Sequence, residues 1–283
     1  MLQVGIWLGV VILLGGFAQE AQAKVAGCFA EKPYKPSAPP RKLTPDRSRK
    51  TTVVMLHGKN SSQWTQAFDP LITFLLKKRY RLLVPQLPWG KEWDGTMCQG
   101  LNYVDKLVRA ERRKGRQVVV LGHSFGGTHA LIYAARAKRN LKGIVVIGPG
   151  HMLPLAKAVI EETRTQVAKA KRLERVGKAN RMTKFTTKNT GDEINEIRTT
   201  PRIYLSYHDV NRFADMTKTL PKVRKRLLWM VGDKDPILPS YNNSNLLGYL
   251  PRKPGYKYKI LNGGHRDVFG QVGPATHKWL KGR

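Results

Sequence analysis

The sequence predicts an α/β fold in which a mostly parallel central sheet is covered by helices on both faces. Three observations carry this reading. Continuous apolar runs at residues 52–56, 118–121, 144–147 and 226–232 read as strands buried on both sides. Amphipathic stretches of helical period alternate with them, as a parallel sheet with crossover helices requires. The 283-residue chain shows no internal repeat and lies near the upper end for one hydrophobic core.

The elements follow in order. Residues 4–18 form an apolar run broken mainly by glycines, and Ala21-Gln22-Ala23 after it fits signal-peptidase cleavage before Lys24. Residues 1–23 are therefore expected to be a signal peptide, since the run is short of the ~20 apolar residues of a membrane span. Export follows, to a periplasmic or secreted location, where Cys28 and Cys98 would meet an oxidising medium and could pair. No Lys or Arg precedes the run, which leaves a retained anchor open. Val25-Ala26-Gly27-Cys28 offers a further reading, because it resembles a bacterial lipobox that would anchor the chain through a lipid on Cys28 and leave Cys98 alone. Residues 24–50 hold Pro33, Pro36, Pro39, Pro40 and Pro45 among basic residues and read as an extended, poorly ordered arm.

A single folded domain is expected over residues 51–283. Helices are expected near residues 66–79, 101–114, 127–138 and 276–280, and residues 256–261 alternate as a further strand, with six credible strands in all. The stretch between residues 148 and 226 is too long for a simple crossover, whose loops take ~2–6 residues. A small helical insert over about residues 151–220 is expected, with Met152, Val159, Thr163, Val167 and Ala170 at helical spacing. It is either a lid or an ordinary surface helix.

Chemistry concentrates at the ends of the strands. The strand at 118–121 runs into Gly122-His123-Ser124-Phe125-Gly126, the pattern of a nucleophile elbow. A serine on so tight a turn sits in strained backbone, so the residues two before and two after it must be small. The N–H of Phe125, opening the next helix, would face a developing oxyanion. The strand at 52–56 ends in His57-Gly58-Lys59-Asn60, where the Lys59 N–H is the second oxyanion candidate. Asp233 and Asp235 follow the strand at 226–232, and His265 follows the strand at 256–261.

The order Ser, Asp, His, each just after a strand, resembles the α/β-hydrolase superfamily from about residue 52 to 280, and within it the small esterases, lipases and serine-aminopeptidase-like enzymes. The resemblance implies Ser124 as nucleophile, His265 as general base and Asp235 as the acid, since the family acid sits in Gly-x-x-Asp before a short apolar stretch, here Gly232 to Leu238. Asp233 is the runner-up, its plain role being a turn residue bonding its own backbone. The implied activity is hydrolysis of carboxylic esters, thioesters or small amides through an acyl-enzyme, on a small-molecule or lipid-like acyl substrate. No cofactor or metal is called for, because neither His-Glu-x-x-His nor paired-cysteine spacing occurs.

The remaining ring-bearing residues read mainly as packing. His57 and His123 are expected to be structural, His151 to line the pocket or pack, and His129, His208 and His277 to lie in core or surface. Trp64, Trp89 and Trp93 are candidates for the cleft wall or for plain core. Lys and Arg number 51 against 19 Asp and Glu, a net charge of +32, yet the basic residues are scattered through the sequence without a nucleic-acid motif. The alternative function is therefore a catalytically silent relative that binds anionic envelope polymers or a membrane surface.

Overall fold

Apolar strands that bury both faces must be roofed twice, and alternate side chains of one strand feed two cores. In the computed structural model, Val53 and Met55 of β2 (Thr51–Leu56) pack into one core, and Val54 and Leu56 into the other. The structure describes residues 28, 30–137, 140–152, 157–188, 194–212, 215–236, 248–250 and 255–282. The proposed signal peptide at 1–23 and most of the lipobox lie outside them.

The main sheet adds β1 (Arg41–Leu43), β3 (Arg81–Val84), β4 (Gln117–His123), β5 (Gly143–Ile147), β8 (Leu227–Gly232) and β9 (Tyr256–Leu261), in the order β1-β3-β2-β4-β5-β8-β9. Only β1 runs antiparallel to its neighbour. Helices α1 (Asp69–Lys77) and α7 (Phe269–Lys281) cover one face, burying Leu71, Leu75, Val272 and Trp279. Helices α2 (Met97–Arg113) and α3 (Phe125–Arg136) cover the other. Thr96 starts α2 with a capping box: its hydroxyl accepts from the Gln99 N–H at 3.2 Å, and the Gln99 side chain accepts from the Thr96 N–H at 2.8 Å.

Four expectations need correction. The sheet has seven strands rather than six, because β1 lies within the stretch read as a poorly ordered arm. That arm is tied down: Cys28 and Cys98 form a disulfide, the Tyr34 N–H donates to the Gln99 carbonyl at 2.9 Å, and the Tyr34 hydroxyl donates to Asp94 at 2.9 Å. The insert is not purely helical. Between α4 (Lys157–Arg175) and α5 (Pro201–His208) lies an antiparallel hairpin of β6 (Thr183–Lys188) and β7 (Ile194–Thr199), and α6 (Met216–Thr219) follows α5. Its inward residues Phe185 and Ile197 face each other in register, and Phe185 stacks on Tyr204 of α5 with ring centroids 4.4 Å apart. Helix α7 begins seven residues earlier than the predicted stretch, at Phe269, and carries Pro274 inside it.

Candidate active site

The carboxyl ends of the parallel strands converge on one edge, and the predicted chemistry collects there. Ser124 sits between β4 and α3 with φ 53° and ψ −123°, a left-handed backbone that ordinary side chains seldom adopt. The strain is held by close packing. A Cβ on Gly122 would come within 2.2 Å of the Gly126 carbonyl oxygen, and one on Gly126 within 2.3 Å of the Leu56 carbonyl oxygen. Only glycine fits on either side, as the elbow pattern implied. The Ser124 N–H donates to the Ile147 carbonyl at 2.9 Å, fastening the turn to β5. Phe125 opens α3, where the first amides of a helix lack intrahelical acceptors.

Asp235, at 2 % exposure, accepts a 2.8 Å hydrogen bond from His265 Nδ1. That bond places the proton on Nδ1 and leaves Nε2 as the basic nitrogen. Asp233 is exposed and does something else: its carboxylate accepts from the Gly263 N–H at 2.8 Å, thirty residues away, and so ties the loop of Asp235 to the loop of His265. Its own backbone is not the partner the sequence suggested for this bond. The two loops also touch where a Cβ on Gly232 would lie 2.1 Å from the Gly263 carbonyl oxygen.

Sequence reasoning missed two supports. Gly148, at the end of β5 with φ 43°, leaves room for the pair, since a Cβ there would lie 2.6 Å from Asp235 Oδ2 and 3.1 Å from His265 Nδ1. His123 is packed beside Ser124, as expected, and also steadies His265: its Nε2–H donates to the His265 carbonyl at 2.9 Å and its ring lies 4.5 Å from the His265 ring. Burial, with the neighbouring His265 ring and the Arg266 charge, holds His123 well below the usual histidine range. The flanking position in the motif was the only sequence signal for it.

The loop carrying Lys59 passes over the elbow, with Gly58 positioned so that a Cβ would be 3.4 Å from Ser124 Cβ. Its course is fixed by buried partners. The Trp89 indole donates to the His57 carbonyl at 2.9 Å, the Trp93 indole to the Asn60 side chain at 2.7 Å, and the Asn60 N–H to the Trp89 carbonyl at 3.1 Å. Trp89 and Trp93 are thus buried struts of the loop, while Trp64 is 62 % exposed beneath Arg41. His57 is structural: its Nδ1–H donates to the Gly58 carbonyl and its Nε2 accepts the Leu87 N–H. Lys59 Nζ donates to Thr187 of β6 at 3.0 Å and joins this loop to the insert.

Beside Phe125 lies a buried layer of rings from α3, α5 and the loop after β5. His129 stacks on Trp89 at 4.2 Å, His208 on Tyr204 at 4.1 Å, and His151 stands against His208 at 4.7 Å. Burial lowers His129 to about 4 and His208 to about 3. Each donates Nδ1–H to the carbonyl four residues earlier, and each Nε2 is buried without a hydrogen-bond partner among the described residues. His277 is remote, bonded to the Tyr80 hydroxyl at 2.9 Å. Among the described residues no group of three or more His, Cys, Asp or Glu side chains is placed to hold a metal ion.

A family model described as "Alpha/beta hydrolase family" matches residues 53–273. No curated protein sequence matches the chain significantly. Solved structures do. A monoacylglycerol lipase from Paleococcus ferrophilus superposes with a TM-score of 0.64 at 18 % identity, over 86 % of this chain and 98 % of that one. Est1E from Butyrivibrio proteoclasticus, solved with ferulic acid bound, gives 0.60 at 17 % identity over 86 % and 95 %. MenH from S. aureus gives 0.59 at 13 % identity over 86 % and 98 %. At these identities the likeness is one of fold.

Proposed function

The chain belongs to the alpha/beta hydrolase family, and from that premise we propose that it is a serine hydrolase cleaving carboxylic esters through an acyl-enzyme on Ser124. The observation that carries the proposal is the Asp235–His265 pair at 2.8 Å, delivered to the same sheet edge as a strained, glycine-flanked Ser124. His265 Nε2 takes the Ser124 proton as Oγ attacks the substrate carbonyl, and Asp235 keeps the imidazole oriented and stabilises the imidazolium. The N–H groups of Phe125 and Lys59 stabilise the tetrahedral oxyanion. The imidazolium returns its proton to the leaving alcohol, and water, activated in the same way, releases the acid and restores the serine. The monoacylglycerol lipase among the solved structures of this fold favours an ester over an amide. The Cys28–Cys98 disulfide supports export to an oxidising compartment and favours it over a lipid anchor on Cys28.

The test is hydrolysis of p-nitrophenyl esters from acetate to long acyl chains by the wild type and Ser124→Ala. The expected result is turnover that falls by at least about 10³-fold in the variant, with fluorophosphonate labelling of Ser124 in the wild type alone. A wild type as inactive as the variant on every ester, and unlabelled by the probe, rejects the proposal.

A further inference from the structure

The basic residues that are scattered in sequence are gathered by topology. Each parallel strand starts at the edge opposite Ser124, and each crossover helix ends there, so the segments entering the strands form one face. Those segments carry Arg49 and Lys50 before β2, Arg79 before β3, Lys114 and Arg116 before β4, Lys142 before β5, and Arg224 to Arg226 before β8. Helices α1, α2 and α7 add basic side chains in their last turns.

The segments are physically joined. The Arg49 N–H donates to the Arg79 carbonyl at 2.7 Å, the Gln117 N–H to the Lys50 carbonyl at 2.8 Å, and the Ile144 N–H to the Arg226 carbonyl at 2.8 Å. Arg226 reaches the Gly282 carbonyl beyond α7 at 2.8 Å. The charges sense one another: burial first, then Arg226 and Arg49, lower the Lys142 ammonium below its ordinary value.

A basic composition alone would spread acids evenly, and helix dipoles explain only the last-turn cations. Here the acids are segregated. Among the described residues the carboxylates at this edge are Asp46, on the loop before β2, and Glu111, which is buried and already held by Thr52 and Arg116. Asp94, Asp209, Asp233, Asp235 and Asp267 lie on the catalytic side or in the insert. We propose that the strand-start face is a docking surface for an anionic lipid bilayer, which holds the molecule with its catalytic edge turned toward water.

The shape of the charge favours a bilayer over a strand of polymer. The six parallel strands span about 24 Å between the outermost two, and the cations extend over the helix layers on both sides, so they tile an area and do not line a groove. Among the described residues the aromatic rings at this edge are poor base-stacking platforms: Tyr80 and Trp279 are buried, beneath Arg49 and Arg226, and Tyr256 is half-buried with its hydroxyl donating to the Val223 carbonyl.

The test is co-sedimentation of the purified protein with vesicles of phosphatidylcholine, with or without about one-third phosphatidylglycerol, in low and high salt. Binding is expected only to the anionic vesicles and is lost in 0.5 M NaCl. The exposed triple variant Lys50→Glu, Arg113→Glu, Lys281→Glu should weaken it by at least about tenfold. An insert variant of equal charge, Arg175→Glu, Lys178→Glu, Arg181→Glu, should change it by less than about threefold, with both triples folded by circular dichroism. Equal losses in the two triples, or no binding in low salt, would overturn the proposal. So would tighter binding to a DNA duplex that the first triple alone disrupts, since nucleic acid would then be the partner.

Discussion

At the scale of single residues, the two aspartates after β8 differ in what they hold, and their replacements should differ accordingly. Asp235→Asn removes the acceptor that fixes the His265 tautomer and should lower kcat by about 10⁴-fold with the fold intact. Asp233→Asn loses part of a loop-to-loop bond and should stay within about tenfold; equal losses in the two variants would mean that the acid is shared. Gly148→Ala tests the space around the pair. Its Cβ would press on Asp235 Oδ2, 2.6 Å away, and a small displacement of His265 should cost about 10²-fold in kcat with little change in KM. Unchanged kcat in that variant would show that the pair tolerates a shift. Ser124, Asp235 and His265 were legible in sequence because each follows an apolar run and two of them sit among glycines. Gly148 and the His123 contact were not, because their importance comes from loops 87 and 142 residues away in the chain.

At the scale of elements, the Cys28–Cys98 bridge closes 70 residues of chain and joins the arm to the start of α2. Cys98→Ser should lower stability by about 2–4 kcal/mol, read from denaturant unfolding, and reduction of the wild type should reproduce the loss. A variant as stable as the wild type would show that β1 and Tyr34 hold the arm by themselves. The long strands and the crossover helices announced themselves by continuous apolar runs and helical period. The hairpin in the insert did not, because β6 reads Thr-Lys-Phe-Thr-Thr-Lys and offers one large apolar side chain, whose place is set by Tyr204 rather than by its neighbours in sequence. The three-residue β1 was hidden by surrounding prolines, since its evidence is its pairing with β3.

At the scale of the whole molecule, burial of neutral histidines should make the protein sensitive to acid. His57 and His129 are lowered to about 4 and His208 to about 3. Above pH 6.5 these rings are neutral folded or unfolded and add no pH dependence. As pH falls below 6.5 the unfolded chain takes up protons that the folded one refuses until pH 3–4, so stability drains across that window. At pH 5 the loss is about 2 kcal/mol for each ring, large against a total of about 5–15 kcal/mol. The melting temperature should fall steeply from pH 7 to pH 5, and less steeply in His208→Phe; identical melting at both values would contradict neutral burial. The charge polarity belongs to this scale too. It was invisible in sequence, where the basic residues are scattered, and emerges only when parallel topology brings every strand start to one edge. A sulfonated chromatography matrix should therefore seize the molecule by that edge, and the immobilised preparation would present its Ser124 edge uniformly to the flowing liquid without any engineered tag.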